Sequence, residues 1–234
     1  MLEVDRKKKL NKLESISGYT FQNTEIINQA LTHTSYVNEE HPGVTQDNER
    51  LEFLGDAVLE LVVTEHLYNN FSDPEGILTN WRSALVRTES ISAAASRFDF
   101  EPLLRLSRGE RRGTERARSQ ILANAYEAVV GALYLDQGYV ATKVFIEKSL
   151  IVTFKNILKD GSWMDPKSIL QELVQSKEGF TPVYQVISEV GPDHDKIFTI
   201  GVMINGKLQG KGVGPSKQAG QVAAAEAALK LYQP

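Results

Sequence analysis

Apolar residues recur every three or four positions along most of the first two thirds of the chain. In residues 47–70, Leu51, Leu54, Val58, Leu59 and Val62 fall on one stripe, the mark of an amphipathic helix. The same spacing predicts a helix over "TEIINQALTH", with Thr24 as its N-cap, and one or two helices over 74–98. Further helices are expected over 119–137 and 139–158, and a short charged one around Leu10–Leu13. No convincing period-two alternation occurs before residue 158.

The pattern changes after "KDGSWMDP", where Gly and Pro interrupt it. "DPKSILQELVQSK" keeps helical spacing, but "PVYQVISEVG", "KIFTIGVMIN" and "KLQGKGVG" alternate and are rich in β-branched residues, as strands are. "PDHD" and "NG" mark hairpin turns, and a final helix follows Ser216, its expected N-cap. The expectation is a multidomain protein: an all-α domain over 1–158, a linker over 159–165, and a small α+β domain of order α-β-β-β-α over 166–234. The two helices of the second domain should share one face of an antiparallel sheet.

A second stripe runs along the 47–70 helix. Glu49, Glu52, Asp56 and Glu60 follow one another at steps of three and four, so their carboxylates share a face. Such like-charge pairs destabilise a helix by roughly 0.2–0.5 kcal/mol each. The stripe is either a solvated face or a place for something cationic. The apolar run Ile121–Leu135 holds a single charged residue, Glu127, with Asn124 one turn earlier. A helix that is apolar nearly all round should be buried, and a buried carboxylate needs a partner. That partner is an arginine, a proton or a route to the surface, or else Glu127 joins the acid stripe in an oxygen-ligand site for a hard divalent cation such as Mg²⁺.

Composition adds one local asymmetry. Net charge is only −4, so no overall basic field points to a polyanionic partner. Residues 105–119 nevertheless hold Arg105, Arg108, Arg111, Arg112, Arg116 and Arg118 against Glu110 and Glu115. With Gly109 and Gly113 among them they form a loop suited to phosphate, unless it is merely a solvated surface loop. The second domain is balanced, with seven Lys against seven Asp and Glu over 161–234. There, Gln171, Glu172 and Gln175 share a helical stripe able to reach sugar hydroxyls in a shallow groove, and Lys217 opens the last helix, whose N-terminus attracts phosphate. His194 sits in the turn "GPDHDK". Absence of cysteine excludes disulfides and Cys-ligated zinc. The expected location is the cytoplasm, with no membrane span: the longest apolar run is too short and too polar. The four histidines show no metal-binding spacing, and serine-hydrolase, P-loop and dinucleotide motifs are missing.

"NERLEFLGDAVL" closely resembles the signature of the ribonuclease III catalytic domain, and "ILANAYEAVVGALYLDQG" resembles that family's second acidic motif. "SILQELVQ", "GPDHDK" and "GKGVGPSKQAGQVAAAEAAL" are similar to a double-stranded RNA-binding domain. The resemblance spans essentially the whole chain. It implies a homodimeric, Mg²⁺-dependent endonuclease of double-stranded RNA, with Mn²⁺ as a substitute, no small-molecule cofactor, and roles in processing ribosomal and messenger RNA. It places Glu52, Asp56, Asn124 and Glu127 on metal-ligand positions, Asp56 and Glu127 at the chemistry, and Glu49 on an acidic position that handles RNA or metal. It gives Phe53 to a pocket of the partner subunit, and the arginine loop, with Arg108, Arg111 and Arg112, is expected from its charge to meet the RNA. Ser168, Gln171, Glu172, Gln175, His194 and Lys217 fall on RNA-contacting positions. Two departures stand out: Asn124 where the family often has Asp, and Gln218, Asp193 and Asp195 where basic residues are frequent. They imply a weakly binding second domain and leave one rival, a catalytically inactive regulator that binds duplex RNA.

Overall fold

The computed structural model describes residue 14 and residues 18–39, 41–161, 163–192 and 196–232. The helix expected around Leu10–Leu13 lies outside them, as does His194. The chain forms two compact units, Met1–Trp163 and Met164–Pro234.

The first unit is helical among its described residues: α1 (Thr24–Ala30), α2 (Thr34–Asn38), α3 (Glu49–Asn70), α4 (Glu75–Val86), α5 (Thr88–Arg97), α6 (Glu115–Ser149) and α7 (Phe154–Asp160). Several boundaries differ from the sequence pattern, each for a local reason. Asn23, not Thr24, caps α1, its side chain accepting the Glu25 N–H. The Asp136 carboxylate receives the Gln22 and Asn23 N–H groups and fixes that turn. Helix α6 starts at Glu115, four residues before the expected start at 119, because the Thr114 hydroxyl accepts the Ala117 N–H. The break expected between 137 and 139 is present as a kink, with Gly138 at φ 80°. The second limb stops at Ser149, short of 158, and a 3₁₀ turn (Ile151–Thr153) leads into α7. Helix α7 itself runs to Asp160, two residues into the segment read as linker.

Helices α3 and α6 form the centre of the unit. Leu59, Val62 and Val63 from α3 meet Tyr126, Val130 and Leu133 from α6 in one buried cluster, with Leu85, Ile91, Phe100 and Phe145 around them. What lets these two helices approach is a pair of glycines. A Cβ on Gly55 would lie 1.7 Å from the Glu127 carbonyl oxygen, and one on Gly131 would lie 2.3 Å from that of Leu51. Backbone therefore touches backbone at the crossing.

In the second unit, α8 (Pro166–Glu178) and α9 (Lys217–Tyr232) flank three antiparallel strands in the order β1 (Val183–Val190), β2 (Ile197–Ile204) and β3 (Lys207–Gly214). Leu170 and Val174 of α8 and Ala224, Ala225 and Ala228 of α9 bury Ile200, Val202 and Ile204, so both helices cover one sheet face. The β2–β3 hairpin turns on Asn205 (φ 48°) and Gly206 (φ 73°), the paired positive φ of a two-residue type I′ turn. The Ser216 hydroxyl accepts the Ala219 N–H at the start of α9.

Candidate active site

The glycine crossing decides where the acids lie. Glu52 and Asp56 flank Gly55 on α3, while Asn124 and Glu127 precede Gly131 on α6. Close approach of the backbones brings these side chains into mutual electrostatic range. Glu52 is half-buried. Burial first, then Glu49 and Asp56, push its carboxyl above the usual range, while a hydrogen bond from Asn124 pulls it back. Glu127 is also half-buried, and burial, then Asp56, then Glu52, raise its carboxyl to about 7. No lysine or arginine contributes to either shift. The arginine partner that could have explained a lone buried Glu127 is therefore not what surrounds it. Asp56 is exposed.

Three carboxylates and an amide oxygen are the donor chemistry of a hard divalent cation. Among the described residues, no three His, Cys, Asp or Glu side chains are gathered closely enough to hold an ion as they stand.

Glu49, exposed in the first turn of α3, is near enough to help raise the Glu52 carboxyl. With Phe53, Gln29, Gln46 and Leu135 it lines an open cleft of about 820 Å³. Phe53 is 82% exposed, a large apolar cost for a monomer surface. Glu60 is exposed, as a solvated residue should be.

The arginine segment is more fixed than its glycines suggest. Across a short bridge at Thr32 the Arg105 N–H donates to the Leu31 carbonyl and the Arg105 carbonyl accepts the His33 N–H, the Ser35 hydroxyl accepts the Ser107 N–H, and Glu39 accepts the Arg108 N–H. A 3₁₀ turn (Glu110–Arg112) follows. Arg118 is held by Glu101 and by the Arg111 carbonyl, and Arg105 lies over the Tyr36 ring. Arg108, Arg111 and Arg112 are left exposed, available to a polyanion.

In the second unit, Gln171, Glu172 and Gln175 are exposed on α8. Gln175 donates to the Thr181 hydroxyl at 3.3 Å, and the Ser168 hydroxyl donates to Asp165 at 2.9 Å. Lys217 is exposed at the first turn of α9, its ammonium 5.8 Å from the centre of the Phe198 ring.

Sequence reasoning missed Gly55, Gly131 and Gln120. The glycines carried a signal, since each costs an α-helix interior about 1 kcal/mol relative to Ala and sits within one turn of an acidic residue. Gln120, whose amide donates to Asn124 Oδ1 at 2.7 Å, carries no signal of its own in the sequence.

Comparison with known proteins agrees with this division of the chain. Residues 23–154 match the family described as Ribonuclease-III-like, and residues 166–232 match the double-stranded RNA binding motif. Ribonuclease 3 of Enterococcus faecalis is 44% identical over 94% of this chain and 95% of its own length. Ribonuclease 3 of Geobacillus kaustophilus is 43% identical over 97% and 93%. A solved structure of the nuclease domain of ribonuclease III from Campylobacter jejuni superposes with a TM-score of 0.52 at 37% identity. It covers 59% of this chain and 96% of the domain.

Proposed function

The chain belongs to the ribonuclease III family and is an endonuclease of double-stranded RNA, and from that premise we propose that Glu52, Asp56, Asn124 and Glu127 hold its divalent cation. What supports this is the α3–α6 crossing, where the backbones touch and Glu52, Asp56 and Glu127 act on one another's charge with no basic residue contributing. Mg²⁺ fits the donor set, and Mn²⁺ substitutes for it. When bound, the cation neutralises charge on the scissile phosphate and acidifies a water to the point of attack. Asp56 and Glu127 stand nearest the chemistry: their ionised oxygens would hold the cation that neutralises the phosphate and acidifies the water. The products carry 5′-phosphate and 3′-hydroxyl ends. The rival reading, an inactive binder, rests on Asn124 alone, and an amide oxygen is an adequate ligand for Mg²⁺.

Arg108, Arg111 and Arg112 contact the phosphates of the duplex, and Glu49 borders the path of the RNA. Ser168, Gln171, Glu172, Gln175 and Lys217 form the contact surface of the second unit. Because that unit is charge-balanced, most of the salt-sensitive attraction falls to the arginine segment. Arg111→Ala combined with Arg112→Ala should weaken duplex binding about tenfold at 0.1 M salt. It should also lower the slope of log affinity against log salt by nearly two, as expected for two lost phosphate contacts. Filter binding at several salt concentrations measures both, and an unchanged slope contradicts the assignment.

The protein is a homodimer in this reading, with exposed Phe53 seated on the partner subunit, so that two sites cut opposite strands and leave short 3′ overhangs. Phe53→Asp should shift the protein toward monomer by at least about 2 kcal/mol, the burial energy of a Phe side chain. Sedimentation equilibrium reads this directly, and an unaltered dimer would remove Phe53 from the interface. The reading also places the protein in the cytoplasm, acting on ribosomal and messenger RNA precursors. Among the described residues no helix is long and apolar enough to cross a membrane.

A further inference from the structure

The arginine segment takes much of its shape from outside itself. Its two glycines do not set that shape: Gly109 (φ −66°) and Gly113 (φ −60°) sit in backbone regions open to any residue, so they only enlarge the freedom of the unfolded chain. The hydrogen bonds that hold the backbone of residues 105–108 run back to residues 31–39. Leu31 and His33 clasp the Arg105 backbone, and the Ser35 hydroxyl accepts the Ser107 N–H at 3.2 Å. Past Ser107 the segment holds itself: the Ser107 hydroxyl accepts the Glu110 N–H at 3.1 Å, and the Ser107 carbonyl accepts the Arg111 N–H at 3.2 Å.

Glu39, just past the end of α2, reaches both ends of the stretch Arg105–Arg108. One carboxylate oxygen, Oε1, accepts the Arg108 N–H at 3.0 Å. The other, Oε2, lies 3.6 Å from His41 Nε2. The His41 ring stacks on Tyr36 with centroids 3.7 Å apart, and the Arg105 guanidinium lies 6.0 Å from the centre of the same Tyr36 ring. The bond from Glu39 goes to the backbone of Arg108, and the Arg108 side chain stays exposed.

A carboxylate beside a surface for phosphate is electrostatically unfavourable, since it repels the ligand that the arginines attract. We propose that Glu39 is a positioning residue for duplex RNA: it fixes the Arg108 backbone so that Arg108, Arg111 and Arg112 meet the phosphates in one preformed arrangement. The gain is conformational, because a segment ordered before binding loses less freedom when it binds. The proposal rests on the reading of these arginines as phosphate contacts.

The two effects of this carboxylate have opposite signs, which makes them separable. Glu39→Gln keeps an acceptor oxygen at the same reach and removes the charge. Glu39→Ala removes both. Duplex affinity is measured on the full-length protein in excess chelator, well below the melting temperature of each variant. The Gln variant should bind as tightly as the unsubstituted protein, or up to about twofold more tightly, because a repelling charge is gone. The Ala variant should bind roughly three- to tenfold more weakly than the Gln variant, the worth of one hydrogen bond, although both have lost the same charge. Equal affinity of the two variants, at whatever level, overturns the role of Glu39. The Arg111→Ala, Arg112→Ala pair separates this from the reading beneath it. If that pair weakens binding while the two Glu39 variants are equal, only the positioning role fails. If that pair leaves affinity and salt slope unchanged, both fail.

Discussion

Glu127→Gln should leave duplex RNA binding within about twofold of the unsubstituted protein and slow cleavage by a thousandfold or more, on the order expected when a ligand that acts mainly in the transition state is lost. The two side chains have nearly the same shape, so the α3–α6 packing is preserved. What is lost is a negative charge and the ability to take a proton. The same substitution has a second, opposite effect that separates site from scaffold. In the protein without cation, burial, Asp56 and Glu52 raise the Glu127 carboxyl from an ordinary value of 4.5 to about 7. A folded-state value above the unfolded one means that this group's contribution is fully present below about pH 4.5. It is lost as pH rises through about 7. Above that, the ionised carboxylate strains the fold. Metal-free Glu127→Gln should therefore be more stable than the unsubstituted protein at pH 8, by about 1 kcal/mol after allowing for solvent screening. At pH 4.5 the two should match. Excess Mg²⁺ at pH 8 should shrink or reverse the difference, because only the carboxylate gains fully from the cation. Thermal melts at the two pH values, with and without Mg²⁺, measure this. A variant that cleaves at the unsubstituted rate would end the assignment of Glu127.

Gly55→Ala should be the most damaging substitution of a residue that touches no substrate. Its new Cβ would lie 1.7 Å from the Glu127 carbonyl oxygen and 2.6 Å from the carbonyl carbon. Neither atom belongs to a flexible side chain, so the helices have to separate by about an ångström or more. Overpacking of this kind costs about 3 kcal/mol or more. Misplacement of a catalytic group by about 1 Å removes roughly a hundredfold in rate. The variant should thus melt at a markedly lower temperature, and the fraction that remains folded should cleave at least about a hundredfold more slowly. Gly76→Ala is the matched control. It lies in α4 with nothing within 4 Å of the added carbon, and it should be neutral or stabilising by roughly 0.5–1 kcal/mol. Equal melting temperatures for the two variants would show that the crossing is looser than described.

Much of this molecule could be read from residue spacing because its elements are long and strongly periodic. The stripe through Leu51, Val58, Leu59 and Val62 gave α3, and the change of period near residue 160 separated a helical unit from a mixed one. The Asn-Gly pair at 205–206 set the β2–β3 turn. Boundaries were harder, since they depend on single hydrogen bonds: Asn23 rather than Thr24 starts α1, and Thr114 starts α6 ahead of its apolar run. At the candidate site, the acidic residues stood out by their own unfavourable placement, but what brings them together did not. Contact between α3 and α6 depends on two missing side chains, Gly55 and Gly131, and spacing within one helix cannot show which backbone lies against them.

The central claim is that four oxygen donors from two helices make a cation site that cuts duplex RNA. The most direct measurement is incubation of a long, end-labelled RNA duplex with the purified protein in Mg²⁺ and in excess chelator, with the termini of any products identified. Fragments bearing 5′-phosphate and 3′-hydroxyl ends in Mg²⁺, and intact duplex in chelator, are the predicted result. Intact duplex in Mg²⁺ despite bound protein, or fragmentation that persists in chelator, would contradict it.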